Sequence, residues 1–137
     1  VIVIDTNILA YGVLTQGDPD LRRQAEALLQ RADRILLPAL WRHEFLSVLS
    51  KYAKKELISM DDAIAAWFHT VALAQDSEAP VDMPRALQLS QELGVSAYDA
   101  QYLALAEDAN TVLITEDRRL RAAVGPRAKS MEEYLAA

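Results

Sequence analysis

The sequence predicts an α/β fold in three layers, a central parallel sheet flanked by helices on both faces. Two uninterrupted apolar runs, Val1-Ile2-Val3-Ile4 and Val112-Leu113-Ile114, read as short strands buried on both faces, as in parallel sheets covered by helices. Stretches of strand and helix alternate along the chain, which is the pattern of parallel strands joined by right-handed crossovers. Each of the two runs is followed closely by a carboxylate, Asp5 and Asp117. In open α/β sheets the carboxyl ends of the strands form the edge where ligands bind.

The elements follow in order. After the first strand, Thr6 and Asn7 can cap a short helix begun by Ile8, Leu9 and Tyr11. Gly17-Asp18-Pro19-Asp20 is a turn with Pro at the start of a helix, whose apolar stripe is Leu21, Ala25, Leu28 and Leu29. Ile35-Leu36-Leu37 forms a second strand closed by Pro38. A patterned helix over Ala39 to Lys55 is joined by a few residues to one from Met60 to about Gln75, capped by Ser59, so the two form an αα-hairpin. In the second of these, Met60, Ile64, Trp67, Phe68 and Val71 share a face. A weak strand at Pro80-Val81-Asp82 precedes a helix over Arg85 to Leu93, ended by Gly94. Ser96 starts the helix Ala97 to Glu107, rich in Ala and Leu. Thr111 to Thr115 is the clearest later strand. A helix over Glu116 to Ala123, a break at Gly125-Pro126, a short edge strand near Ala128 and a helix at Met131 to Leu135 complete the chain. No repeat or linker divides it, so residues 1–137 are read as one domain.

Composition excludes several function classes. The 137 residues include no cysteine, which removes disulfides, thiolate metal sites and a Cys nucleophile. The net charge of −6 argues against a general basic nucleic-acid footprint, although bound cations or local Arg clusters can still meet phosphates. The longest uncharged stretch, Ala63 to Gln75, is too short to span a bilayer. No signal peptide precedes the first strand, and the expected location is cytoplasmic without membrane association.

Four acids occupy positions that carboxylates normally avoid or that face a ligand edge. Glu44 lies among Leu40, Trp41 and Val48 at i−4, i−3 and i+4, so it projects from the apolar stripe of its helix. An ionised group there needs a partner, either a buried Arg or a metal. Asp99 shares a face with Tyr102, Leu103 and Ala106, though Ser96-Ala97-Tyr98-Asp99 also matches a capping box. Asp5 and Asp117 sit at strand-to-helix junctions, where a cap or the helix dipole also accounts for an acid. As a set they converge on one edge of a doubly wound sheet. Four carboxylates there repel one another unless a cation is present. Oxygen-only donors favour Mg²⁺ or Mn²⁺ over zinc. Acid clusters of this kind hold one or two metals that clamp a phosphodiester for in-line attack by water.

Asp5-Thr6-Asn7 after a hydrophobic strand, Glu44 in a helix, Asp99-Ala100 opening a helix through Leu103 and Ala104, and Leu113-Ile114-Thr115-Glu116-Asp117 resemble, in order and spacing, the four motifs of the PIN domain. The size resembles that of VapC toxins of toxin–antitoxin pairs. The resemblance implies a five-stranded parallel sheet in the order 3-2-1-4-5 and metal-dependent endoribonuclease activity leaving a 5′-phosphate and a 3′-hydroxyl. It further implies an RNA substrate, homodimers and a cognate antitoxin. Asp5, Glu44, Asp99 and Asp117 would be the metal-binding acids. Thr115 and Asn7 would orient those acids or water, and Glu116 is an additional acid at a variable position.

Other residues carry less. His43 lies off the apolar stripe and has no second His suitably placed, and His69 reads as a helix-surface residue. Trp41 and Trp67 fit core or interface anchors better than a base-stacking platform. Arg118, Arg119 and Arg121 are placed either to meet phosphates or to solvate a helix face. Lys51, Lys54 and Lys55 can complement a helix dipole. An aspartyl-phosphate phosphatase would want Asp where Asn7 stands, and a receiver domain would want a Lys after a late strand. A non-catalytic binding module of the same fold and a PIN nuclease of RNA processing are the alternatives to a toxin.

Overall fold

The computed structural model describes residues 1–137. Four short parallel strands, β1 (Ile2–Ile4), β2 (Ile35–Leu36), β3 (Leu113–Ile114) and β4 (Ala128–Lys129), form one sheet in the order β2-β1-β3-β4. Register is set by Ile2 opposite Ile35, Val3 opposite Leu113 and Leu113 opposite Ala128. The weak strand expected at Pro80-Val81-Asp82 does not form. Its place beside β2 is taken by a single parallel bridge between Leu37 and Glu78. Asp82 instead caps the following helix, its side chain accepting from Arg85 N. Counting that bridge, the neighbour order is the 3-2-1-4-5 of the expectation.

Helices cover both faces. They are α1 (Thr6–Val13), α2 (Pro19–Arg31), α3 (Trp41–Lys54), α4 (Met60–Ala74), α5 (Met83–Leu93), α6 (Ala97–Asp108), α7 (Arg118–Val124) and α8 (Met131–Ala136). Side chains alternate across a strand, so β1 sends Ile2 and Ile4 into one core with α1, α2 and α3. It sends Val3 into a second core with α5 and α6. Pro19 occupies the first turn of α2, and Gly94 ends α5 with φ 67°, a left-handed conformation that favours glycine. Gly12 lets α1 and α2 approach closely, since a Cβ there would stand 2.8 Å from Leu29 Cδ1.

The helical hairpin of α3 and α4 is locked by an aromatic cluster. Trp41 and Trp67 are stacked with ring centroids 6.2 Å apart, and Phe45 stacks on Trp67 at 6.4 Å. Trp41 Nε1 donates to Glu78 Oε1 at 2.6 Å, which ties α3 to the bridge beside β2. Of the shared face expected on α4, Met60, Ile64 and Phe68 are exposed, and the buried contacts come from Ala63, Thr70 and Ala74. No helix is long and apolar enough to cross a membrane.

Candidate active site

Order reverses between β1 and β3, and their carboxyl ends define the crevice. Asp5 N donates to Ile114 O, which brings the ends of the two strands together. One pocket of about 230 Å³ at this edge is lined by Asp5, Glu44, Asp99 and Asp117, with Thr6, Asn7, Lys51 and Tyr102. The four acids predicted to converge do so.

Asp5 and Asp117 arrive as N-caps of α1 and α7, and Asp99 and Glu44 from the first turns of α6 and α3. Asp5 caps α1, as a junction acid can, and Thr6 and Asn7, the other cap candidates, lie inside the helix. Asp5 Oδ1 accepts from Ile8 N at 3.0 Å, while Oδ2 accepts from the Thr115 hydroxyl at 2.5 Å. The cap and the site are therefore served by one carboxylate. Thr115 is fully buried, and its Oγ1 also accepts from Asp117 N at 3.1 Å, so a single hydroxyl couples both strand-end acids. Asp117 caps α7 by accepting from Leu120 N, and its side chain is otherwise exposed. Asp99 N is bonded to Ser96 Oγ, but the returning half of a capping box, from Ser96 N to the Asp99 carboxylate, is not formed. A true capping box occurs at Ser130 and Glu133.

Glu44 is partly buried, and its partner is no arginine. Its Oε1 accepts from the Tyr102 hydroxyl at 2.5 Å and from Thr6 Oγ1 at 3.0 Å. Thr6 was read from the sequence as a cap candidate and motif residue, not as a partner of Glu44. Tyr102 was read only as a member of the face carrying Asp99, and the signal available was its placement one turn beyond that acid.

The electrostatics match a site short of positive charge. Burial pushes the Asp5 carboxyl up to about 6, against the hydrogen bonds from Thr115 and Ile8, with the charges of Glu44 and Asp99 adding to the rise. Asp99 is raised by burial too, opposed by its bond to Ser96 and assisted by Asp117 and Glu44. The only cationic side chain lining the pocket is the exposed Lys51. As they stand, no three acids lie close enough together to grip an ion directly. Mg²⁺ commonly keeps several waters and takes only one or two carboxylates, so an oxygen-only, mutually repelling donor set of this spacing fits a hydrated hard cation.

Two neighbouring groups have other duties. Glu116 turns away, its Oε2 accepting from Met131 N and so fastening the start of α8. Arg121 donates to the Thr115 carbonyl at 2.7 Å, which leaves Arg118 and Arg119 as the exposed members of that arginine cluster. His43 and His69 are exposed on helix surfaces, as the sequence suggested.

An acid-lined crevice at the switch point of a parallel sheet defines the class, a three-layer α/β protein with a carboxylate site. The PIN domain family matches residues 2–125, and the chain belongs to that family. It is 31% identical over 123 residues to Ribonuclease VapC3 of Pyrobaculum aerophilum, covering 87% of this chain and 91% of that protein. PAE2754 from Pyrobaculum aerophilum shares the fold with a TM-score of 0.74 at 20% identity, over 98% of this chain and 86% of that one. A toxin–antitoxin complex from Klebsiella pneumoniae has a TM-score of 0.64 at 21% identity, over 96% and 98%.

Proposed function

We propose that this protein is a Mg²⁺- or Mn²⁺-dependent endoribonuclease and the toxin of a toxin–antitoxin pair, acting in the cytoplasm as a single PIN domain that forms homodimers. The observation that carries the reading is the meeting of Asp5, Glu44, Asp99 and Asp117 in one pocket. Membership of the PIN family and similarity to a named ribonuclease support the chemistry. In this reading the four acids would hold a hydrated cation, one or two of them directly and the others through its water shell. When bound, it neutralises phosphate charge and makes water a stronger nucleophile at neutral pH.

The chain's own residues divide the work. Asp5 has both oxygens engaged, by Ile8 N and by Thr115, so its charge is held at a fixed point. Asp99, half-buried at the edge of the pocket, is placed to orient water toward the phosphorus. Water adds to phosphorus, the bond to O3′ breaks, and the departing oxygen takes up a proton, leaving a 5′-phosphate and a 3′-hydroxyl. Lys51 at the rim can meet a substrate phosphate. Purified protein is expected to cut single-stranded or looped RNA with Mg²⁺ or Mn²⁺ and to stop in EDTA. Robust cleavage in EDTA would overturn the metal requirement.

The antitoxin has a natural seat. Leu46, Leu49, Met60, Ile64, Trp67 and Phe68 line an apolar groove of about 550 Å³ between α3 and α4. An amphipathic helix laid in such a groove buries the exposed apolar side chains, among them Phe68 at 68% exposure. Phe68→Asp is expected to leave the melting temperature unchanged and to weaken binding of the protein encoded by the adjacent reading frame at least tenfold, about 1.4 kcal/mol. Equal binding by parent and variant would remove the groove from the interface.

A further inference from the structure

Three oxygens from three elements meet beside the pocket, and two of them have no assigned role. Thr6 Oγ1 from α1, Tyr102 Oη from α6 and Glu44 Oε1 from α3 form a closed triangle with edges of 2.6, 2.5 and 3.0 Å. Both hydroxyl residues are buried, Thr6 at 4% and Tyr102 at 2% exposure, while Glu44 lines the pocket. The donor inventory fixes how the triangle is wired. Ionised Glu44 can only accept, Tyr102 donates its one proton to Oε1, and Thr6 gives its one proton either to Oε1 or to the tyrosine oxygen. Every side-chain hydrogen bond of Glu44 thus falls on Oε1. A glutamate on a helix has several rotamers open to it, and a charge-assisted bond from a rigid buried phenol selects one.

We propose that Tyr102, seconded by Thr6, is the positioning residue of this site, clamping Oε1 of Glu44 so that Oε2 is the oxygen presented to the cation. The inference rests on the reading of Glu44 as a metal-binding acid. It explains why the most deeply buried hydroxyl of α6 points toward α3 when burial of a bare phenol among Leu and Ala would leave its proton unpaired. It also links the motifs structurally, since α1 and α6 carry Asp5 and Asp99 at their N-termini and here join in fixing the acid of α3. Outer groups that orient a ligand alter metal affinity or activity by about 10–100-fold when removed.

The test is calorimetric titration of Mn²⁺ into the parent, Tyr102→Phe, Glu44→Gln and the Tyr102→Phe/Glu44→Gln double variant, with RNA cleavage measured beside it. Tyr102→Phe keeps the buried ring and removes only the donor. It is expected to weaken Mn²⁺ binding about tenfold and to lower kcat with little change in KM. In the Glu44→Gln background the same change is expected to have no further effect on affinity, because the group it acts through is already altered. A role in packing alone would give equal losses in both backgrounds and overturn the proposal, as would unchanged affinity in Tyr102→Phe. If Tyr102→Phe does not fold, Thr6→Val removes the other hydroxyl on Oε1 and is expected to give the same non-additive pattern, with additive losses again contradicting it. A parent that binds no Mn²⁺ overturns the metal reading of the site itself, a result distinct from a binding parent with an indifferent Tyr102→Phe.

Discussion

Asp5→Asn is expected to lower RNA cleavage by at least about 100-fold while making the metal-free protein more stable at neutral pH. The two effects have one cause. Asn caps a helix about as well as Asp, so the bond from Ile8 N is kept, and the Thr115 hydroxyl can rotate to face an amide. What disappears is a negative charge held beside Glu44 and Asp99 in a poorly solvated place. The Asp5 carboxyl is pushed up to about 6 from an ordinary 3.8. A group whose pKa is raised on folding stabilises the fold fully only below its unfolded value, and that contribution is lost as pH rises through the folded value. Below about pH 4 parent and variant should therefore melt alike. Between about pH 4 and 6 the parent should lose ground, by roughly 3 kcal/mol for a fully buried group. Partial exposure of Asp5 cuts this to about 1–2 kcal/mol, or a melting temperature about 3–8 °C higher for the variant at pH 7.5. Mn²⁺ reverses the ranking, because a ligand at ~100 times its dissociation constant adds about 2.7 kcal/mol to the parent. Melts of both proteins in EDTA and in Mn²⁺, at pH 4 and pH 7.5, read every part of this. An equal Mn²⁺ increment in parent and variant would take Asp5 out of the site.

The largest loss of stability is expected from Trp41→Ala. Trp41 is fully buried and packs against Phe45 and Trp67, with centroids 6.1 and 6.2 Å away. It also supplies the indole N–H that holds Glu78. Emptying such a site costs about 3–5 kcal/mol, a large share of the 5–15 kcal/mol that holds a domain folded. Trp41→Phe refills most of the volume and leaves Glu78 its bond from Arg42, so about 1–2 kcal/mol is expected instead. The consequence reaches the site, since Glu44 lies next to Phe45 on the same helix. Urea unfolding of the two variants checks the ranking, and a Trp41→Ala loss below 1 kcal/mol would contradict the packing described.

What the sequence made legible was whatever rested on pattern. β1 and β3 were visible because a strand buried on both faces needs an unbroken apolar run. Asp5 and Glu44 stood out because an acid at a strand end, or inside an apolar stripe, conflicts with its neighbours. Hidden features depended on distance along the chain. The partner of Glu44 is Tyr102, 58 residues away, and no local spacing records that pairing. Pro80-Val81-Asp82 was expected as a weak strand, but helix capping by Asp82 won, and the sheet edge fell back to Glu78. The apolar stripes of α3 and α4 exceed what one small core needs, which pointed to a face left for a partner; that Trp67 packs inward while Met60, Ile64 and Phe68 stay exposed is seen only in the structure.

The central claim, that the four acids together hold a divalent cation, is tested most directly by anomalous diffraction from crystals grown with Mn²⁺ and no chelator. A Mn²⁺ peak is expected in the pocket lined by Asp5, Glu44, Asp99 and Asp117, absent from crystals of Asp5→Asn. A parent pocket with no peak at saturating Mn²⁺, or a peak only elsewhere on the molecule, would contradict it.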